Sequence, residues 1–194
     1  MAADYLVASL QPLTLDGPAP YTAERFLELC RGQLSAEDAD GVAAVMGESA
    51  SDHPLAARWR DLDAQIRNAV VAERARLLGQ DAVRWRRPAE GCSLYWANRA
   101  SAAFQEKDVA RRERLLDQVR WDAAGDLTPS AGPLSVAAVF TYAIRLAVVL
   151  RRSAYDVAAG KEVFSRPSAV FSSIDWEGPK IKFKGKSDLK EGNT

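Results

Sequence analysis

Residues 133–160 read PLSVAAVFTYAIRLAVVLRRSAYDVAAG, and this stretch decides the fold. Val136, Val139, Phe140, Ala143, Leu146, Ala147, Leu150, Ala154 and Val157 recur at steps of three and four, the spacing that lays one broad apolar stripe along a helix. Pro133 stands where a first helical turn tolerates a missing N–H, and Gly160 stands where helices commonly end. The pattern predicts one long core helix from Pro133 to Gly160. At about 1.5 Å per residue it would cross a small domain and receive shorter helices on both sides.

Leu134 to Leu150 is nearly continuous apolar sequence, so a membrane span has to be weighed. A span needs about 20 predominantly apolar residues, and an unpaired cation at mid-bilayer is costly. Arg145 lies inside the run, and Arg151 and Arg152 follow it directly. Helical spacing puts Thr141, Arg145, Arg152 and Asp156 on one flank, which gives the core helix a polar edge. Arg145 is expected to snorkel or to form an ion pair there.

The composition, 47% hydrophobic and 27% charged over 194 residues, is that of one globular domain with room for a small appendage. Formal net charge is zero, so no global field draws the chain to nucleic acid or anionic lipid. The front is nevertheless acidic: Asp4, Asp16, Glu24, Glu28, Glu37, Asp38, Asp40 and Glu48 stand against Arg25 and Arg31. Cys30 and Cys92 belong to no CxxC pair, which suggests neither a zinc site nor a disulfide framework and fits a reducing compartment. Asp4 occupies the place where a signal peptide carries positive charge, so the expected location is cytoplasmic.

Shorter elements surround the long helix. Tyr5 to Leu10 suits two turns of helix or a short strand, and Pro12 ends it in either case. Thr22 caps a helix through about Arg31, with Phe26, Leu27 and Cys30 inward and Gly32 closing it. Ser35 with Asp38 begins another, weakened by Gly41 and ended at Gly47. From Pro54 to Leu78, the residues Leu55, Trp59, Leu62, Ile66, Ala69, Val70 and Leu77 share a face, and Gly79 is the expected end cap. Two more helices are expected over 93–105, carrying Leu94, Ala97 and Phe104, and over 108–123, with Val109, Leu115, Leu116 and Val119 inward. The fold class is therefore all-α: a compact bundle of short and long amphipathic helices over residues 1–164. A C-terminal tail follows over 165–194, partly disordered or extended. In it Lys180, Lys182, Lys184 and Lys186 alternate with Ile181, Phe183 and Gly185 as in an edge strand.

No reactive motif emerges. GxSxG, GxxxxGK[ST], GxGxxG and HExxH are all missing from the sequence, and no catalytic residue, metal ligand or cofactor-binding residue is nominated. His53, the one histidine, precedes Pro54 at a helix start and reads as a capping or loop residue. The carboxylates Glu106/Asp108 and Glu113/Asp117, set among Arg111, Arg112, Arg114 and Arg120, read as intrahelical ion pairs. Arg84-Trp85-Arg86-Arg87 has the cation-plus-aromatic composition that grips phosphates and stacks on bases. An Arg packed over Trp, or a salt-bridged surface, is the default for so short a run.

Five stretches in order, YLVASLQPLTL, FLELCRGQLSAED, HPLAARWRDLDAQIRNAVVAERARLL, ERLLDQVRWDAA and FTYAIRLAVVLRRSAYDVAAGKEVF, resemble a bacterial family of unknown function. Its members are typically encoded inside V-type ATP synthase operons. The resemblance covers about residues 4–164 and is most specific at Trp59 with Arg67-Asn68, at Glu113 through Arg120-Trp121, and at Tyr142 with Leu146. It implies a non-catalytic subunit or assembly factor of a V-type ATP synthase, similar in style to the funnel-shaped central-stalk protein that seats the shaft on the membrane rotor ring. The implied partners are shaft and rotor-ring subunits, and the implied location is peripheral to the inner face of the cell membrane. Candidate partner-binding residues are Arg67, Arg74, Arg76, Arg84, Trp85, Arg86 and Arg87. The alternative is a stand-alone small-ligand-binding regulator or enzyme unrelated to the rotary complex.

Overall fold

In the computed structural model, which describes residues 2–128 and 132–155, seven α-helices succeed one another, and no strand occurs among the described residues. Most of them begin on a side chain that accepts an orphaned backbone N–H. Helix α1 covers Ala2–Ser9, so Tyr5–Ser9 is helical and Leu10 falls in the bend just after it. Helix α2, Ala23–Gln33, is capped by Thr22, and α3, Ala36–Met46, by Ser35. Helix α4, Pro54–Leu78, starts with a proline that has no N–H to leave unsatisfied; His53 Nδ1 accepts from the Leu55 N–H at 3.2 Å. Helix α5, Leu94–Ala102, runs on into a 3-10 turn at Ala103–Gln105. Asp108 caps α6, Val109–Ala123, which continues into a 3-10 turn over Ala124–Leu127. Ser135 caps α7, Val136–Ser153.

Helix α7 is the centre. It packs against α1, α2, α3, α4, α6 and the turn after α6, while α5 lies between α4 and α6 on the far side. Its Val139, Phe140, Ala143 and Leu146 are wholly buried and meet Leu6, Phe26, Val42, Ile66 and Leu116 in one core. Each large apolar side chain among them contributes about 1.5–3 kcal/mol on leaving water. Helix α3 approaches α7 closely at Gly41: a Cβ there would stand 2.7 Å from Phe140 Cζ and 2.8 Å from His53 Cγ. The residue expected only to weaken α3 is thus what lets α3 touch α7.

Several expectations change. Helix α7 starts at Val136, because Pro133 and Leu134 form a turn before the Ser135 cap, and it stops at Ser153 with Ala154 exposed. Its 18 residues give a length of about 27 Å, shorter than a helix reaching Gly160. Gly32 does not close α2, which continues to Gln33 and ends where Leu34 turns extended. Leu94 and Val109, expected inward, are 68% and 65% exposed, each being the first residue of its helix and projecting past its neighbours. Leu77 is exposed because the last buried residue of α4 is Ala75. Leu115 stands one step round α6 from the inward Leu116 and Val119, and is 40% exposed.

The described residues up to Ala154 form one compact unit. The expected boundary at 164/165, Asp156 and the lysine-alternating segment all lie outside the described residues. Among the described residues no helix is long and apolar enough to cross a membrane.

Candidate functional site

The long helix α4 carries Trp59, Asp63 and Arg67 at steps of four, which places them on one stripe. A second row, Asp61, Gln65 and Asn68, grips the segment that follows the helix. Gln65 Nε2 donates to the Glu90 carbonyl at 2.8 Å, and the Glu90 N–H donates to Asp61 Oδ1 at 3.2 Å. The Asn68 amide donates to the Arg87 carbonyl and accepts from the Arg87 N–H, both at 2.8 Å. This ladder folds residues 87–93 back along α4 and brings Arg87 beside Arg67.

Between that segment, the end of α3 and α7 lie two adjoining hollows of about 500 and 280 Å³ that share Val45, Gly47, Trp59, Asp63 and Arg67. The first adds Arg60 and Arg87, and the second adds Arg120 and Arg151. Five guanidinium groups therefore line one groove; Asp63 is the carboxylate among its lining residues, and Asp117 behind it pairs with Arg120 and Arg151. Asp63 accepts from Arg67 Nε at 2.5 Å and from Arg120 Nε at 3.2 Å. Among the described residues Arg60 and Arg87 have no carboxylate within ion-pair distance. Guanidinium groups so placed can hold carboxylates or phosphates bidentately.

The groove is anchored by an ion-pair chain. Asp117, 2% exposed, meets Arg151 and Arg152 of α7 and Arg120 of its own helix, the last two at 3.4 and 3.8 Å. Arg152 also reaches Asp16 Oδ1 at 3.0 Å, and Arg114 binds the same carboxylate. The hydrogen bond from Arg114, assisted by the charges of Arg114 and Arg152, holds Asp16 below the ordinary carboxylate range. The intrahelical account of Glu113 and Asp117 is thus corrected: Glu113 pairs with Arg74 of α4 at 3.2 Å, and Asp117 serves mainly α7. Asp108 is a helix cap, with Glu106 Oε1 accepting from its N–H.

The structure brings two of the sequence candidates together, Arg67 and Arg87, and separates the others. Arg74 is paired with Glu113, and Arg76 with Glu73 at 3.0 Å, outside the groove. Arg84 lies over the Trp85 ring, 5.8 Å from its centroid, and both are exposed, as is Arg86. Arg60 and Asp63 stand a turn or two from Arg67 but carry no signal of their own in the sequence; Arg120 and Arg151 join only through tertiary packing. His53 caps α4, stacks on Phe140 with centroids 4.7 Å apart, and places Nε2 3.2 Å from Asp38 Oδ1. Arg145 donates from Nε to the Trp121 carbonyl at 3.1 Å and lies 5.0 Å from the Trp121 ring centroid, so it sits on the polar flank without a partner carboxylate in ion-pair contact among the described residues.

Fold and groove together define an all-helical scaffold with an arginine-lined recess. No group of three or more His, Cys, Asp or Glu side chains among the described residues could hold a metal ion. Residues 98–167, from within α5 past the end of α7, are similar to a family described as a protein of unknown function, DUF2764. That matched region contains Asp117, Arg120, Arg151 and Arg152. No curated protein matches the chain, and no solved structure matches it either.

Proposed function

We propose that this chain is a non-catalytic subunit or assembly factor of a V-type ATP synthase, a central-stalk protein that couples the shaft to the membrane rotor. In this reading it serves proton or ion transport without doing chemistry itself. It is cytoplasmic and reaches the inner face of the membrane only through its partners. The observation that carries the reading is the groove of Arg60, Arg67, Arg87, Arg120 and Arg151 on a rigid helical body. A coupling protein needs such a body and a charged surface complementary to its neighbour. An acidic helical segment of the shaft or a rotor loop suits the groove by charge. The resemblance to a family encoded in V-type ATP synthase operons supplies the identity of that neighbour.

Reversing Arg60 and Arg87 together to Glu tests the contact. Arg60 and Arg87 hold no ion pair within the described chain, so the variant is expected to keep its helical circular dichroism and lose its ATP synthase partners in a pull-down. Partners retained by the folded variant would refute the groove's role. The larger hollow also falls within the range of about 300–1,000 Å³ common for small-ligand sites, which favours the second reading, a ligand-binding regulator. That reading requires a ligand-dependent rise in the melting temperature of the isolated protein.

A further inference from the structure

On the opposite flank of α7 from Arg151, the polar edge faces a separate hollow of about 400 Å³ between α1, the loop over residues 10–13 and the start of α7. Its walls are Val7, Leu10, Leu13 and Ala138, and its polar lining includes Thr128, Thr141, Tyr142 and Arg145.

The donors of that lining are almost all spent. Thr141 Oγ1 donates to the Ala124 carbonyl at 3.0 Å, and the Thr128 hydroxyl lies 2.7 Å from Thr141 Oγ1 and is left to donate to it. The Tyr142 hydroxyl donates to the Gln11 carbonyl at 2.9 Å. Arg145 is different. Its Nε is used on the Trp121 carbonyl, but its terminal nitrogens have no hydrogen-bond acceptor among the described residues. One of them lies 3.6 Å from where a Cβ on Gly125 would stand, an ordinary van der Waals distance. The nearest acid acting on it, Asp122, is already taken by Arg99 at 2.9 Å and Gln118 at 2.8 Å. A half-buried cation with unspent donors, at the end of an apolar trough, has one kind of complement: a single anionic head on an apolar body.

We infer that this hollow is a binding site for a small amphiphilic monocarboxylate, with the carboxylate on Arg145 and the hydrocarbon chain along Val7, Leu10, Leu13 and Ala138. Burial holds the Arg145 guanidinium below its ordinary pKa, against the pull of Asp122, and a bound carboxylate would offset that desolvation. The site is independent of the arginine groove and does not rest on the role proposed for it.

Isothermal titration of the full chain with sodium octanoate tests this, with acetate supplying the head alone and octylamine the chain with the opposite charge. Octanoate is expected to bind one saturable site at least about tenfold more tightly than either control. Arg145→Gln and Ala138→Phe, which remove the cation and fill the trough, should each weaken it about tenfold or more with circular dichroism unchanged. Should Arg145→Gln fail to fold, Ala138→Phe decides alone. Octanoate binding no tighter than acetate or octylamine, or undiminished in Ala138→Phe, would overturn the assignment.

Discussion

Asp117 on α6 and Arg152 on α7 are ion-paired at 3.4 Å across the interface that anchors the arginine groove, with Arg151 and Arg120 on the same carboxylate. Removing one partner of a buried pair leaves the others desolvated and uncompensated, which costs about 3–5 kcal/mol in a dry interior. Here the guanidinium groups still reach water, so Asp117→Ala is expected near the lower end, about 3 kcal/mol. Denaturant unfolding checks it; a change under about 1 kcal/mol would mean that solvent screens the network.

Two helical glycines should respond in opposite directions to the same change. Replacing Gly by Ala inside a helix ordinarily stabilises by about 1 kcal/mol. At Gly32 a Cβ meets nothing within 4 Å, so Gly32→Ala should raise the melting temperature. At Gly41 the Cβ would stand 2.7 Å from the fully buried Phe140 ring and within 3 Å of His53. Overpacking of that kind costs about 1–3 kcal/mol and outweighs the propensity gain, so Gly41→Ala should lower the melting temperature.

The two cysteines should be chemically distinct. Burial pushes the Cys30 thiol up to about 12 from an ordinary 9.0, opposed weakly by Arg31, while Cys92 is exposed. Alkylation of native protein near pH 8 should therefore modify Cys92 quickly and Cys30 only on unfolding. In the unfolded chain Cys30 loses its proton near 9, and in the folded chain it keeps it to about 12. Between those values the folded state holds more protons, so this contribution to stability falls as pH rises. Equal labelling rates for the two thiols would contradict the packing around α2.

At the acid end the sign reverses. Asp16 titrates below its ordinary 3.8 because Arg114 donates to it, with the charges of Arg114 and Arg152 adding to the effect. Its stabilising contribution is present above the unfolded value and is lost as pH falls through the depressed one. NMR titration should find the Asp16 carboxyl below 3.8 in the native chain and closer to it in Arg114→Ala.

The helical class and the centrality of α7 were legible because Val139, Phe140, Ala143 and Leu146 keep one period through a stretch long enough to leave no rival. Caps were legible as well: Thr22, Ser35 and His53 all accept a backbone N–H, and Gly47 and Gly79 take the left-handed conformation, whereas Asp108, which reads as an ion-pair carboxylate, is a cap too. Helix ends were harder to place, since Leu94 and Val109 fit the apolar pattern but project past their neighbours. The groove was half visible. Arg67 and Arg87 could be picked out as cations, but only the Asn68 clamp on the Arg87 backbone brings them together. The role of Asp117 is hidden in the sequence because Arg120 offers an intrahelical partner, whereas Arg151 and Arg152 arrive from a helix 34 and 35 residues away.

The measurement that bears most directly on the proposed role is purification of tagged protein from native membranes in mild salt, followed by mass spectrometry. V-type catalytic, shaft and rotor-ring subunits should be recovered with it in fixed ratio. A chain that came down alone, with the ATP synthase intact elsewhere in the same lysate, would contradict that role.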